Sequence, residues 1–161
     1  MPHVPRRLDR VDARLLVLFN RLVSGAEPWP LFLFGPSGRG KTSAALALCD
    51  VTATATYADL ESLATATMSS PDEANHIWER VGSKQLAVLD EIGVRERTGD
   101  LHYAMLKRFA DLREQQAGRV AIFISNVEPD QIPRLYDDRI ASRILCGACF
   151  RLDGDDRRHA V

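Results

Sequence analysis

Residues 31–42 read LFLFGPSGRGKT, and the fold follows from how that stretch is parsed. Gly35-Pro36-Ser37-Gly38-Arg39-Gly40-Lys41-Thr42 matches the complete pattern G-x-x-x-x-G-K-S/T. The four apolar residues before it have the length and composition of a strand buried on both faces. The segment after it, KTSAALALC at 41–49, is rich in good helix formers and contains no breaker. Strand, glycine loop and helix in that order make the pattern a phosphate cradle rather than a turn with a surface lysine. The glycines let the backbone curl so that its N–H groups converge on phosphates, aided by the positive end of the following helix. Lys41 supplies a mobile charge for β- and γ-phosphates, and the Thr42 hydroxyl suits Mg²⁺. Residues 35–42, with Ser43 next to them, are therefore expected to bind ATP.

Upstream, Leu8, Val11, Leu15, Leu18, Phe19 and Leu22 recur at three- and four-residue steps. This spacing predicts an amphipathic helix within residues 1–24, ended by Ser24-Gly25. Downstream, VTATATY at 51–57 alternates and is β-branched, predicting a second strand, with a short helical or irregular stretch from Asp59 to Leu63. Ser70-Pro71-Asp72 has the form of a helix start, with Ala74, Ile77, Trp78 and Val81 on one face and Gly82 as the stop. Trp78 reads as core. Residues 86–89 form another buried strand, 100–116 a long helix with Leu101, Met105, Phe109 and Leu112 inward, and 120–124 a further strand. A helix-prone segment at 130–145 and a short strand near Phe150 complete the series. Strands alternating with helices imply an α/β fold: a mainly parallel, five-stranded sheet between two helical layers. The chain 1–161 reads as one domain with its core at 31–152.

Asp90 and Glu91 end the strand at 86–89, which places both carboxylates at the carboxyl edge of the sheet, where ligands of such sheets sit. Asp90 suits the role of holding Mg²⁺, largely through water, together with Thr42. Glu91 can then orient and polarise an attacking water. The alternative is two acids opening a solvated loop; a complete phosphate loop in the same chain favours the catalytic reading.

With FGPSGRGKTSAALAL, LAVLDEIGV, IFISN, DDRIASRI and GDDRR in this order, the chain resembles the AAA+ ATPases of the P-loop class. Within them it resembles the helicase loaders and transposition helpers of the DnaC/IstB family, over residues 15–158. The resemblance implies further roles. Asn126 would be the sensor 1 polar residue, against the alternative of a plain turn asparagine. Arg143 would be an arginine finger offered to the ATP of a neighbouring copy, with Arg139 one turn earlier as a substitute; otherwise both pair at the surface with Asp137 or Asp138. Arg158 would be the sensor 2 arginine, with Arg157 too close to set aside. The family implies a homo-oligomer with shared sites, a replicative helicase as partner and single-stranded DNA as a ligand. A transposase partner, as for a transposition helper, is the alternative, and a binding module that holds ATP with negligible turnover is another. A small-molecule kinase fits less well, because Glu91 and a trans arginine belong to hydrolysis in assemblies. Only 34 residues precede Gly35, so the N-terminal partner-binding region of such proteins is expected to be reduced or absent, and a helical lid domain is not expected after Phe150.

The composition sets outer bounds. With 21 basic and 22 acidic residues the net charge is −1, so there is no global basic field for indiscriminate nucleic-acid binding. Arg6, Arg7, Arg10, Arg14 and Arg21 make the opening helix basic, but no aromatic residues interleave with them as a base-stacking platform requires, and they read as a solvated face. No apolar run approaches the roughly 20 residues of a membrane span, and a cytoplasmic location is expected. Cys146 and Cys149 form C-x-x-C without a second ligand pair and read as incidental thiols.

Overall fold

A short apolar strand that is buried on both faces needs a strand on each side and a helix above and below. The computed structural model, which describes residues 8–38, 40–93, 99–115 and 120–153, has that arrangement. Strands β1 (Leu31–Phe34), β2 (Ala55–Asp59), β3 (Leu86–Ile92), β4 (Ala121–Ser125) and β5 (Ala148–Arg151) form one sheet in the order β2-β3-β4-β1-β5. Every pairing is parallel, so all five carboxyl ends lie along one edge. Helices α1 (Ala13–Ser24) and α2 (Gly40–Asp50) cover one face, where Leu15, Phe19, Leu22, Ala44, Ala45 and Leu48 pack on Leu31, Leu33, Val88 and Ile122. Helices α3 (Leu60–Ser69), α4 (Pro71–Ser83), α5 (Asp100–Gln115), α6 (Ile132–Leu135) and α7 (Asp138–Leu145) belong to the other, built on Phe32, Leu89, Phe109 and Phe123. Trp78 is buried in this second layer, with Arg108 stacked 4.3 Å above its ring.

Local chemistry explains where elements begin and where they depart from the periodicity. The leading apolar stripe is not one helix: Leu8–Arg10 is a separate 3-10 turn, and Asp12 caps α1 by accepting from the Arg14 N–H at 2.8 Å. Gly25, at φ 85°, ends α1 in the left-handed conformation that glycine adopts without a Cβ penalty. The second strand starts later than the β-branched run 51–57 predicts. Thr52 turns back onto α2, its N–H bonded to Cys49 O and its hydroxyl to Leu48 O, so pairing with β3 begins only at Ala55. Asp59 then caps α3 through the Ser62 N–H, and the helix runs to Ser69, well past Leu63. The segment 130–145 is split because Asp137 caps a new helix, α7, through the Ile140 N–H.

One buried charge organises the amino-terminal edge of the sheet. Arg113 of α5 is 2% exposed. Its guanidinium donates to Val81 O and Lys84 O at 2.7 Å, and to Gln85 O and Val120 O at 2.8 Å. These carbonyls lie at the carboxyl end of α4 and just before β3 and β4, where the negative end of the helix dipole favours a cation. Burial still pulls its pKa below the ordinary arginine value. Arg113→Met should lower unfolding stability by about 3 kcal/mol, because it leaves buried acceptors without donors. Urea unfolding measures this, and a loss under about 1 kcal/mol would mean that water replaces the guanidinium.

Candidate nucleotide-binding site

The site forms where β1 stops. Phe34 is the last paired residue, and Gly35 turns at φ 149° against the chain leaving β5. Leu152 N bonds Phe34 O at 2.7 Å, and a Cβ on residue 35 would lie 2.1 Å from Leu152 O, so only glycine fits. Pro36, Ser37 and Gly38 are exposed, and α2 opens at Gly40; Arg39 lies outside the described residues. The N–H groups of a helix's first turn have no partner within the helix, so α2 brings donors to the loop that leads into it. Lys41 is 4% exposed and curls back over the loop, donating to Gly35 O at 3.1 Å and Pro36 O at 2.5 Å. Burial lowers its pKa from the usual lysine value, and the Asp90 carboxylate partly offsets this. An ammonium whose hydrogen-bond partners among the described residues are neutral carbonyls is poised for a stronger, anionic acceptor.

The Asp90 carboxylate is held from several elements across the sheet. Asp90, also 4% exposed, accepts the Thr42 hydroxyl at 2.6 Å and the Tyr57 hydroxyl at 2.5 Å on Oδ2, and the Glu91 N–H at 2.7 Å on Oδ1. Thr42 and Asp90 are oxygen donors in direct contact, the hard set that Mg²⁺ takes alongside phosphate oxygens, so the residues fit that ion. Glu91 follows in a different manner. Its backbone has φ 61°, in the left-handed region, and the β3–β4 register shifts between Leu89 and Ile92. Such backbone costs a non-glycine residue on the order of 1 kcal/mol or more and is retained where the surroundings impose it. The consequence is a buried Asp90 followed by an exposed Glu91 at the same edge. Burial raises the Glu91 pKa, helped by the carboxylates of Asp59, Asp90 and Glu61.

The other predicted residues are distributed around this centre. Asn126 directly follows β4, whose last residue, Ser125, pairs in register with Phe34, so it stands beside the start of the phosphate loop and is exposed. Ser125 is buried and knits the edge together, donating to Ile92 O at 2.7 Å and accepting the Val127 N–H at 3.1 Å. Arg143 is elsewhere. It bonds Asp111 at 2.6 Å and Glu114 at 2.9 Å on α5, not Asp137 or Asp138. Asp137 instead accepts from the Ile140 N–H and from the Tyr103 hydroxyl. Arg139 is exposed, and Arg157 and Arg158 lie outside the described residues. On α1, Arg14 pairs with Asp12 and Arg21 with Glu27, while Arg6 and Arg7 are outside the description. Cys146 and Cys149 are free thiols. Among the described residues no helix is long and apolar enough to cross a membrane.

A family model described as the ATPase family associated with various cellular activities (AAA) matches residues 31–148. The chain belongs to this AAA family. No curated protein matches its sequence. Solved structures show the same fold at low identity. One of DnaI has a TM-score of 0.71 at 18% identity, covering 91% of this chain and 90% of that one. One of the DnaC helicase loader has a TM-score of 0.68 at 15% identity, covering 93% and 100%. DnaA from Aquifex aeolicus bound to AMPPCP has a TM-score of 0.68 at 18% identity, covering 91% of this chain and 48% of its own. The chain thus spans about half the length of the AMPPCP-bound DnaA chains it matches.

Sequence reasoning missed two polar residues at the edge of the AAA site. Tyr57 read only as a strand residue, although an aromatic hydroxyl at the carboxyl end of a parallel strand is itself a signal. Arg151, at the end of β5, pairs in register with Phe34 and forms ion pairs with Glu128 and Asp153. Nothing in its local sequence marks it.

Proposed function

We propose that this AAA domain binds ATP with Mg²⁺ and hydrolyses it in an assembly of its own copies, acting as a DnaC-type loader on a replicative helicase. One observation carries the hydrolytic part. The Thr42 hydroxyl and the Asp90 carboxylate meet at 2.6 Å beside buried Lys41, and the next residue, Glu91, is turned outward at the same edge. In this reading Lys41 and the loop amides bind the β- and γ-phosphates, and Thr42 and Asp90 hold the ion that neutralises them. Glu91, exposed at that edge, takes a proton from water. Asn126 orients that water, Arg143 of one copy reaches the ATP of the next, and Arg158 or Arg157 serves as the second sensor. The loader role is supported by likeness of fold to DnaC and DnaI.

Lys41→Ala should abolish tight ATP binding, weakening it at least about tenfold, since a bond to a charged group contributes on the order of 1.5–3 kcal/mol. Calorimetry reads this directly, and an unchanged affinity would remove the site. Turnover is then measured with and without single-stranded DNA, and the partner is sought by co-purification with replicative helicases. A second reading, a binding module with negligible turnover, draws on the Arg143 clasp to Asp111 and Glu114 within one chain. Absence of hydrolysis under assembling conditions would favour it.

A further inference from the structure

We propose that Tyr57 is a positioning residue for Asp90, its hydroxyl bond fixing the carboxylate in the orientation that receives the divalent cation bound with the nucleotide. The inference rests on the nucleotide-site reading above. Tyr57 pairs in register with Val88, and Asp59 with Asp90, so Tyr57 and Asp90 stand on the same face of adjacent strands, diagonally across the ladder. At that offset a long aromatic side chain reaches its neighbour. The ring is partly buried in the layer beneath α2, a place that phenylalanine would fill equally well. The oxygen is therefore explained by its partner, Asp90 Oδ2 at 2.5 Å.

The division of bonds on Asp90 gives the hydroxyl its task. An ionised carboxylate has about four acceptor positions, two on each oxygen. Among the described residues, Oδ2 takes both hydroxyls, from Thr42 and Tyr57, while Oδ1 takes the Glu91 N–H. Thr42 is itself a candidate ligand of the cation, so its geometry is tied to loading. Tyr57 comes from β2, and among the described residues its hydroxyl bonds Asp90 alone. It holds Oδ2 in place and keeps the remaining Oδ1 position aimed consistently. Partners that orient a metal-binding side chain typically account for 10–100-fold in metal affinity.

Tyr57→Phe tests this with N-methylanthraniloyl-ADP fluorescence, titrating the full chain in EDTA and then across a range of free Mg²⁺. The expected result is a rise of about tenfold or more in the Mg²⁺ concentration at half-maximal tightening, with affinity in EDTA changed by less than twofold. In an Asp90→Ala background, Tyr57→Phe should add nothing. A Mg²⁺ midpoint within twofold of the parent overturns the proposal. So does an equal loss in both arms, which would make the hydroxyl a support of the fold, or an additive loss without Asp90. A parent protein that binds the nucleotide in neither arm overturns the nucleotide-site reading, one that binds it equally in both overturns this inference alone, and either outcome is visible before any variant is made.

Discussion

Arg143→Ala is expected to bind ATP almost as the parent does yet lose hydrolysis by a factor on the order of 10³ to 10⁵, the range for arginine fingers where they are used. The position of the residue is the reason to expect a trans effect. Arg143 lines a small pocket with Pro30 and Ala121, which stand just before β1 and at the start of β4, whereas the phosphate loop leaves the opposite end of β1. A four-residue strand spans about 13 Å, so this end of the sheet is set apart from the phosphate loop, which favours a neighbour's nucleotide over that of the same chain. In the single chain its guanidinium is occupied by Asp111 and Glu114, and acting on a neighbour means exchanging those carboxylates for a γ-phosphate. Partly exposed pairs of this kind contribute about 1 kcal/mol or less, so the substitution should leave the fold intact. Arg139→Ala, at an exposed position, should cost less activity. Mixing Arg143→Ala with Lys41→Ala subunits should restore part of the turnover, because a copy that cannot bind ATP still lends its arginine. Mixtures that associate but stay inactive would return Arg143 to a purely structural clasp between α7 and α5.

Glu91→Gln should keep nucleotide binding and lower turnover by about 10²- to 10⁴-fold, the usual contribution of a positioned general base. The amide has the same length and places the same demand on a backbone already at φ 61°, so the change isolates the carboxylate. Asp90, buried and held by three donors among the described residues, is unaffected as an anchor. Equal steady-state rates for variant and parent would take Glu91 out of the mechanism. A loss of nucleotide affinity of similar size would instead assign it to binding.

The phosphate loop, its strand and its helix were legible because they are contiguous: β1 lies where the apolar run is, and α2 starts one residue before Lys41. The position of Asp90 and Glu91 towards the carboxyl end of that strand was legible for the same reason, from an apolar run followed at once by acids, but its end at residue 89 was not: β3 runs through both acids to Ile92. The start of β2 was not. Alternating threonines are as well suited to turning back on a helix end as to a strand, and only the Thr52 bonds to α2 decide between them. The break at Asp12 was hidden because an apolar stripe continues on both sides of a cap.

The sequence by itself determined the α/β class, the phosphate cradle and the pair of carboxylates, since each depends on neighbours in the chain and on backbone groups present at every residue. The tertiary structure alone decided which side chains meet. Tyr57 reaches Asp90 across a strand register, Arg113 gathers carbonyls from three segments, and Arg143 finds α5 instead of the aspartates nearest to it in sequence. A polar side chain bonds whatever the packed elements bring within about 3 Å. That choice is set by register and helix placement, which periodicity does not encode.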